Sequence, residues 1–414
     1  MRSVILLAAV CSLAVFPAMA DLNGKMIQVK AGDTARVAVP VSVDCAEAAP
    51  EGPVTVVDSD SGAALPATLA DGKLTFVVDK LAAGEDKVFS VKVDPGKAAP
   101  RVSLEKKSGE DIVDVTIDGK LFTSYHYGSQ WTKPFLWPIN TVDGVGVTRD
   151  FPMTTESTPR TARDHPHHKS LWSAYGEVKL ASAGDEYSDL WAEGGNSGTQ
   201  KAGEVTWGSG DAYGWIKSEN VWVNGADVPL IKESREYRFY ATPESGRLLD
   251  VKVVFTADLG DVEFKDTKEG GIVAVRMRPD ICGPKAAVIT NAHGDVGEET
   301  AWGKPSPWCD FSGESKEAGW LGITIFDNPG NLRFPGSWHV RNYGLMGANS
   351  FGYSYFNEKA YNKGLIPERG DHTIKQGEPL VFNYRVYVHK GDVKEAAVAD
   401  RYADYATPPE ANWK

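Results

Sequence analysis

What the chain has little of narrows its function before any motif is read. It holds four cysteines, and the three beyond residue 20, Cys45, Cys282 and Cys309, show none of the CxxC spacing of zinc or dithiol redox sites. In an oxidising compartment Cys282 and Cys309 can pair as one disulfide, with Cys45 then buried or free. After the first 20 residues no run of ~18 apolar residues occurs, so no membrane span is expected. Basic residues are in deficit, 44 Lys and Arg against 56 Asp and Glu, and the acidic ones are scattered rather than gathered in a tail. That balance makes nucleic acid an unexpected partner. No repeat of fixed period is visible. No two carboxylates stand out as the matched acid and nucleophile of a glycosidase, and helical periodicity is confined to VKEAAVADRYADYA near the C-terminus.

What is present starts with MRSVILLAAVCSLAVFPAMA. Its basic Arg2, apolar run from Val4 to Phe16 and small-x-small end at Ala18 to Ala20 form the pattern of a secretory signal peptide over residues 1–20. Bulky Val10 before Cys11 argues against lipoprotein processing, so an exported species, periplasmic or extracellular, is expected to begin at Asp21. The remaining chain exceeds the ~250–300 residues that one core usually supports, which predicts two domains. From Asp21 to about Val93, runs such as TARVAVPVSV, KLTFVVD and KVFSVKV alternate apolar with polar and predict a small β-sandwich over 21–100. DPGKAAPRVSLEKKSG, 94–109, reads as a linker. Beyond it DIVDVTID, RLLDVKVVFTADL, GIVAVRMR and LVFNYRVYVHKG resume the alternation. With 42 glycines and 24 prolines to make turns, they predict an all-β chain whose larger antiparallel β-sandwich domain covers 110–414 and carries a concave, loop-built site.

The candidate chemistry sits in that second domain. DHPHHKSLW, 164–172, puts His165, His167 and His168 within four positions and follows them with Trp172. Pro166 favours an extended His165, so His165 and His167 should share one face and His168 the other. Such imidazoles can shuttle protons near neutral pH, and two on one face can ligate a metal with a third ligand from elsewhere. The metal content is left open. Asp164 reads as a turn cap. Arg149 in GVTRDFP and Arg276 in GIVAVRMRP need an anion or carbonyl partner in such apolar settings. Glu269 is a candidate for that partner, or for a general base. Tyr125, His126, Trp308, His339 and Arg341 stand in YHYG, PWCD and WHVRNYG, stretches that mix titratable groups with glycine and aromatics, as sites built from loops do. Loop tryptophans can stack on the C–H face of a sugar ring.

YHYG…KPFLWPI, GVTRDFP, DHPHHKSLW, DTKEGGIVAVRM, GITIFDNPGN and WHVRNYGLMGANSFG, in that order, resemble the bacterial methane oxygenase PmoA-like proteins over most of the chain. The resemblance implies an exported protein in a carbohydrate-degradation setting, with a sugar as partner. Three functions are carried forward. The first is a carbohydrate-active lyase, hydrolase or epimerase acting on a glycoside or oxidised sugar. In it His165, His168 and Glu269 supply acid and base, Arg149 and Arg276 hold developing negative charge, and Tyr125, His126, His167, Trp172, Trp308, His339 and Arg341 contact the substrate. The second is a carbohydrate-binding protein without turnover. The third, implied by the family's name, is a metal-dependent oxygenase using His165, His167 and a carboxylate. No cofactor is assigned.

Overall fold

The structure is a computed structural model that describes residues 22–47, 52–94, 96, 99–243, 246–364 and 368–414, so the expected signal peptide lies outside the described residues. The alternating segments form antiparallel strands, and the fold is all-β. The first sheet has seven strands in the order Arg36–Asp44, Lys73–Leu81, Ala64–Ala70, Val54–Asp58, Asp86–Val93, Met26–Lys30 and Glu410–Trp413. It curls round one apolar core that includes Ile27, Val41, Val56, Phe76 and Phe89. Its last strand comes from the far end of the chain, and the Trp413 indole donates to Asp44 O at 2.6 Å.

Two eight-stranded sheets make the larger body. The central sheet runs Ser337–Arg341, Leu345–Asn349, Gly270–Arg276, Leu171–Tyr175, Phe135–Leu136, Lys120–His126, Ile112–Ile117 and Val102–Lys106. Val102–Lys106 is thus a strand inside the stretch expected to be a linker. The second sheet runs Thr199–Gly208, Tyr213–Val223, Pro229–Tyr240, Arg247–Thr256, Pro379–Lys390, Gly319–Asp327, Trp308–Ser315 and Val288–Asn291. A small sheet of Val178–Leu180, Val262–Phe264 and His372–Ile374 extends the body.

Side chains of a strand alternate between its faces, and this decides what the site can contain. From Leu171–Tyr175, Leu171 and Tyr175 join the core between the two large sheets, whereas Trp172 and Ala174 face outward. From Gly270–Arg276, Val273 and Val275 enter that core and Ala274 joins the outward set. The outer face of the second sheet is covered: Phe326 and Tyr387 pack with Val398, Tyr402 and Tyr405 of the helix Val398–Ala406, and Ala212 and Tyr213 with Ala38 and Val77 of the first sheet. The outer face of the central sheet instead carries Phe135, Trp172, Ala174, Ala274 and Leu345, packed with Trp191 beneath irregular chain that includes the histidine motif. Cys45, Cys282 and Cys309 are all free thiols, so the Cys282–Cys309 disulfide does not form. Cys309 is instead fully buried in the core between the large sheets.

Candidate active site

The histidine motif folds as a turn. His165 has φ +39°, in the left-handed region, rather than the extended form expected before Pro166, and the His168 N–H donates to the His165 carbonyl at 3.0 Å. The expected alternation is therefore replaced by a cluster. The His165 and His168 rings stack at 4.8 Å and 7°, and His167 stands edge-on to both, at 5.5 and 4.3 Å. One ring nitrogen from each lies within 4.8 Å of the others. A left-handed non-glycine residue costs about 1–2 kcal/mol, and Arg149 holds it there. Arg149, with no exposed surface, donates to the carbonyls of Ala162, Asp164, His165 and His168 at 2.7–3.2 Å and to Asp164 Oδ1 at 2.6 Å.

Asp164 is more than a turn cap, and it takes the part foreseen for Glu269. Arg276 donates through Nη2 to both Asp164 oxygens, at 2.8 and 2.7 Å, and through Nη1 to His168 Nδ1 at 3.0 Å. Burial would raise the Asp164 carboxyl, but the hydrogen bond and charge of Arg276 and the charge of Arg149 outweigh it and hold it below its usual value. Because a guanidinium has no acceptor, His168 Nδ1 must accept, and a neutral His168 therefore carries its proton on Nε2. Burial, then His167 and Arg276, push His168 well below its usual pKa. Burial and Lys133 lower His167 to about 4, and burial and Arg276 lower His165. Near neutral pH the cluster is three uncharged rings against a cationic guanidinium.

Aromatic rings extend the stack at both ends. Tyr343 lies 5.0 Å from His165 at 15°, with the Arg276 guanidinium 4.5 Å over its ring, and Trp172 lies 5.4 Å from His168 at 22°. Trp191 packs against His168, Trp172 and His339 at 5.3, 5.5 and 6.2 Å. Behind it two buried amines share one carboxylate: Lys169 reaches Glu193 at 2.9 Å and Pro166 O at 2.9 Å, and Lys133 reaches Glu193 at 3.5 Å and Trp191 O at 2.7 Å. These bonds tie the histidine turn to the Trp191 segment. Sequence reading missed Tyr343, Trp191, Lys133, Lys169 and Glu193. Tyr343, Lys169 and Lys133 carried a signal, since they lie in WHVRNYG, DHPHHKSLW and KPFLWPI, whereas Trp191 and Glu193 lie in none of the stretches singled out.

The other expected residues divide. His339 faces the site beside Trp191, and burial lowers it to about 3. Arg341 shares its strand but pairs with Glu298 at 3.0 Å and lies 5.3 Å over Trp302, so it stands at the edge. Glu269 pairs with Lys268, and its charge reaches His165 and Tyr343. His126 is on the right face but is packing: it stacks on Phe135 at 4.9 Å and bonds Trp137 O at 3.1 Å. Two expected contact residues lie elsewhere. Tyr125, next to His126, points by alternation into the inter-sheet core, 5.6 Å from Tyr237. Trp308 is on the covered face of the second sheet with Phe326.

Fold and site together define an antiparallel β-sandwich protein with a histidine–arginine site on the outer face of one sheet. The chain belongs to DUF6807, a family of unknown function whose model matches residues 112–403, from the strand Ile112–Ile117 into the C-terminal helix. No curated protein matches the chain. Among solved structures it is similar to a protein in the glycosyl hydrolase family 38 from Enterococcus faecalis (TM-score 0.42, 10% identity, 94% of this chain and 47% of that one). It is also similar to an alpha-mannosidase from Enterococcus faecalis V583 (TM-score 0.42, 10% identity, 97% and 46%) and to a galactose 1-epimerase from Lactobacillus acidophilus NCFM (TM-score 0.32, 9% identity, 71% and 100%). The chain spans about half the length of the first two.

Proposed function

We propose that the protein is an exported carbohydrate-active enzyme, a lyase or epimerase that enolises an oxidised sugar at the His165–His167–His168 cluster. The observation that carries this reading is the hydrogen bond from Arg276 to His168 Nδ1, which leaves an uncharged imidazole with its donor on Nε2. A neutral imidazole of this kind polarises a carbonyl without needing to be protonated first. In the proposed step His165, the ring nearest solvent, removes the proton from the carbon beside the carbonyl, and the electron pair moves onto the carbonyl oxygen. His168 Nε2–H and the nearby Arg276 charge stabilise that oxyanion. Return of a proton from solvent to the opposite face, with His165 giving its proton up to solvent, gives an epimer. Departure of a substituent from the next carbon, as its alcohol once it takes the proton that His165 removed, gives elimination. Glu269 is the alternative base. The half-buried Trp131, Trp137 and Tyr343 rings offer faces for sugar C–H groups.

The resemblance to PmoA-like proteins also raises a metal-dependent oxygenase on His165, His167 and a carboxylate; a ring nitrogen of each of these two histidines lies within 4.8 Å of the other, but His168 does not fit as a further ligand. A metal on its Nε2 would require the proton on Nδ1, facing the Arg276 donor, and a metal on Nδ1 would displace Arg276. Asp164, the adjacent carboxylate, is held by both arginines.

The test is solvent exchange. Carbonyl-bearing sugars and uronates incubated with the protein in D2O should lose the proton signal beside the carbonyl, and His165→Ala should slow this by at least ~100-fold, the low end for loss of a general base. EDTA should leave the rate unchanged. Binding without exchange across the panel would leave only the sugar-binding reading, and exchange abolished by EDTA and restored by a divalent ion would replace the mechanism.

A further inference from the structure

A second cluster of charge lies far from the histidines. The strand Lys120–His126 carries His126 at one end, and at its other end Lys120 borders a cavity of about 510 Å3 lined also by Arg101, Arg247, Lys390, Asp118 and Asp143. Four cations face two carboxylates there, in a chain whose net charge is −12. Both carboxylates are already engaged. Asp118 takes two bonds from Arg101, at 2.8 and 2.9 Å, and Asp143 pairs with Lys390 at 2.5 Å.

Arg247 is left over. It is 5% exposed, and among the described residues its guanidinium has no hydrogen-bond acceptor and no carboxylate within ion-pair distance, while its Nε is buried without a partner. Among the described residues Lys120 donates only to the backbone oxygen of Val142, at 3.4 Å. Burial lowers the pKa of Arg247, and the nearby Arg101 adds to that, while Asp118 and Asp143 oppose it from a distance. A buried charge without a partner is strongly destabilising, and an arginine fork matches planar or tetrahedral oxyanions. The cavity falls in the ~300–1,000 Å3 range of small-molecule sites.

We propose that this cavity binds a small molecule bearing a carboxylate, sulfate or phosphate, with Arg247 and Lys120 holding the oxyanion. The inference is independent of the histidine site. It is tested on the full chain at pH 7 and low ionic strength, by calorimetric titration and thermal denaturation with sodium galacturonate, sodium sulfate, galactose, and sodium chloride at matched ionic strength. Galacturonate or sulfate should bind saturably and raise Tm, and galactose and chloride should not. Tighter binding of galacturonate assigns the site to acidic sugars, and equal or tighter binding of sulfate assigns it to inorganic oxyanions. Arg247→Met should weaken binding at least tenfold while leaving the unliganded Tm unchanged or higher, because it removes an unpaired buried cation. If that variant does not fold, Lys120→Gln takes its place with the same expected loss. Absence of saturable anion binding by the unaltered protein, or binding by the variant as tight as by the unaltered protein, overturns the proposal.

Discussion

Arg149 directs both terminal nitrogens of its guanidinium at one turn of chain, and the histidine cluster depends on that. Arg149→Met would strand the carbonyls of Ala162, Asp164 and His168, leave the His165 carbonyl to the His168 N–H, and leave the Asp164 carboxylate to Arg276 alone. We expect a loss of several kcal/mol in urea denaturation, since each buried acceptor left without its donor costs about 1–3 kcal/mol, and a loss below about 1 kcal/mol would contradict the clamp. The buried imidazoles set the acid sensitivity. His126 and His167 titrate at about 4 and His339 at about 3 when folded, because burial disfavours their charged forms. The unfolded chain takes up these protons below about 6.5, so stability is complete above that pH and falls from about 6.5 to about 4 for His126 and His167, and on to about 3 for His339, as only the unfolded state is protonated. Tm should drop from pH 7 to pH 5, and His126→Phe should flatten that drop; an unaltered slope would show that His126 takes no part. At this scale the sequence was half legible. The need of Arg149 and Arg276 for an anion could be read from their apolar settings, but not that Asp164 meets it, because Arg276 is far away in sequence and a turn brings it close. YHYG sets Tyr125 and His126 side by side, although neighbours on a strand face opposite ways and only the fold shows which way is inward.

The elements are positioned by tight connections. Strands Ser337–Arg341 and Leu345–Asn349 are joined by a turn in which the Gly344 N–H donates to Arg341 O at 2.9 Å. Gly344 has φ +108°, and a Cβ there would lie 2.7 Å from Cys282 Sγ and 3.4 Å from Arg276 Nε. Gly344→Ala should therefore push Cys282 Sγ aside and crowd the Met277 carbonyl, next in the chain to Arg276, and cost at least the ~1 kcal/mol of a strained backbone, seen as a lower Tm and a slower exchange reaction. Unchanged values for both would mean that the turn adapts without moving Arg276. Alternation made the strands readable, whereas Val102–Lys106 was not, because a short run between proline and glycine looks like a linker until it pairs with Ile112–Ile117. His165 departed from its local preference because Arg149, a tertiary contact, outweighs the bias that Pro166 imposes.

Across the whole molecule, one sheet face is covered and the other bears the site. The all-β class could be read from alternation and turn residues, but the return of Glu410–Trp413 to the first sheet could not, since nothing local in EANW names its partner. Removing residues 408–414 uncovers the Met26–Lys30 edge and removes the Trp413 bond to Asp44, and should lower Tm by several degrees. An unchanged Tm would show that this pairing contributes nothing. The site was legible as a set of residue types and illegible as roles, because the part played by His168 follows from which of its nitrogens meets Arg276. That nitrogen can be observed directly. In 15N NMR of histidine-labelled protein, His168 should appear as the neutral Nε2–H tautomer from pH 6 to 8, unmoved by EDTA. A neutral Nδ1–H ring, a doubly protonated ring, or a signal that changes as EDTA removes a bound metal would contradict the account.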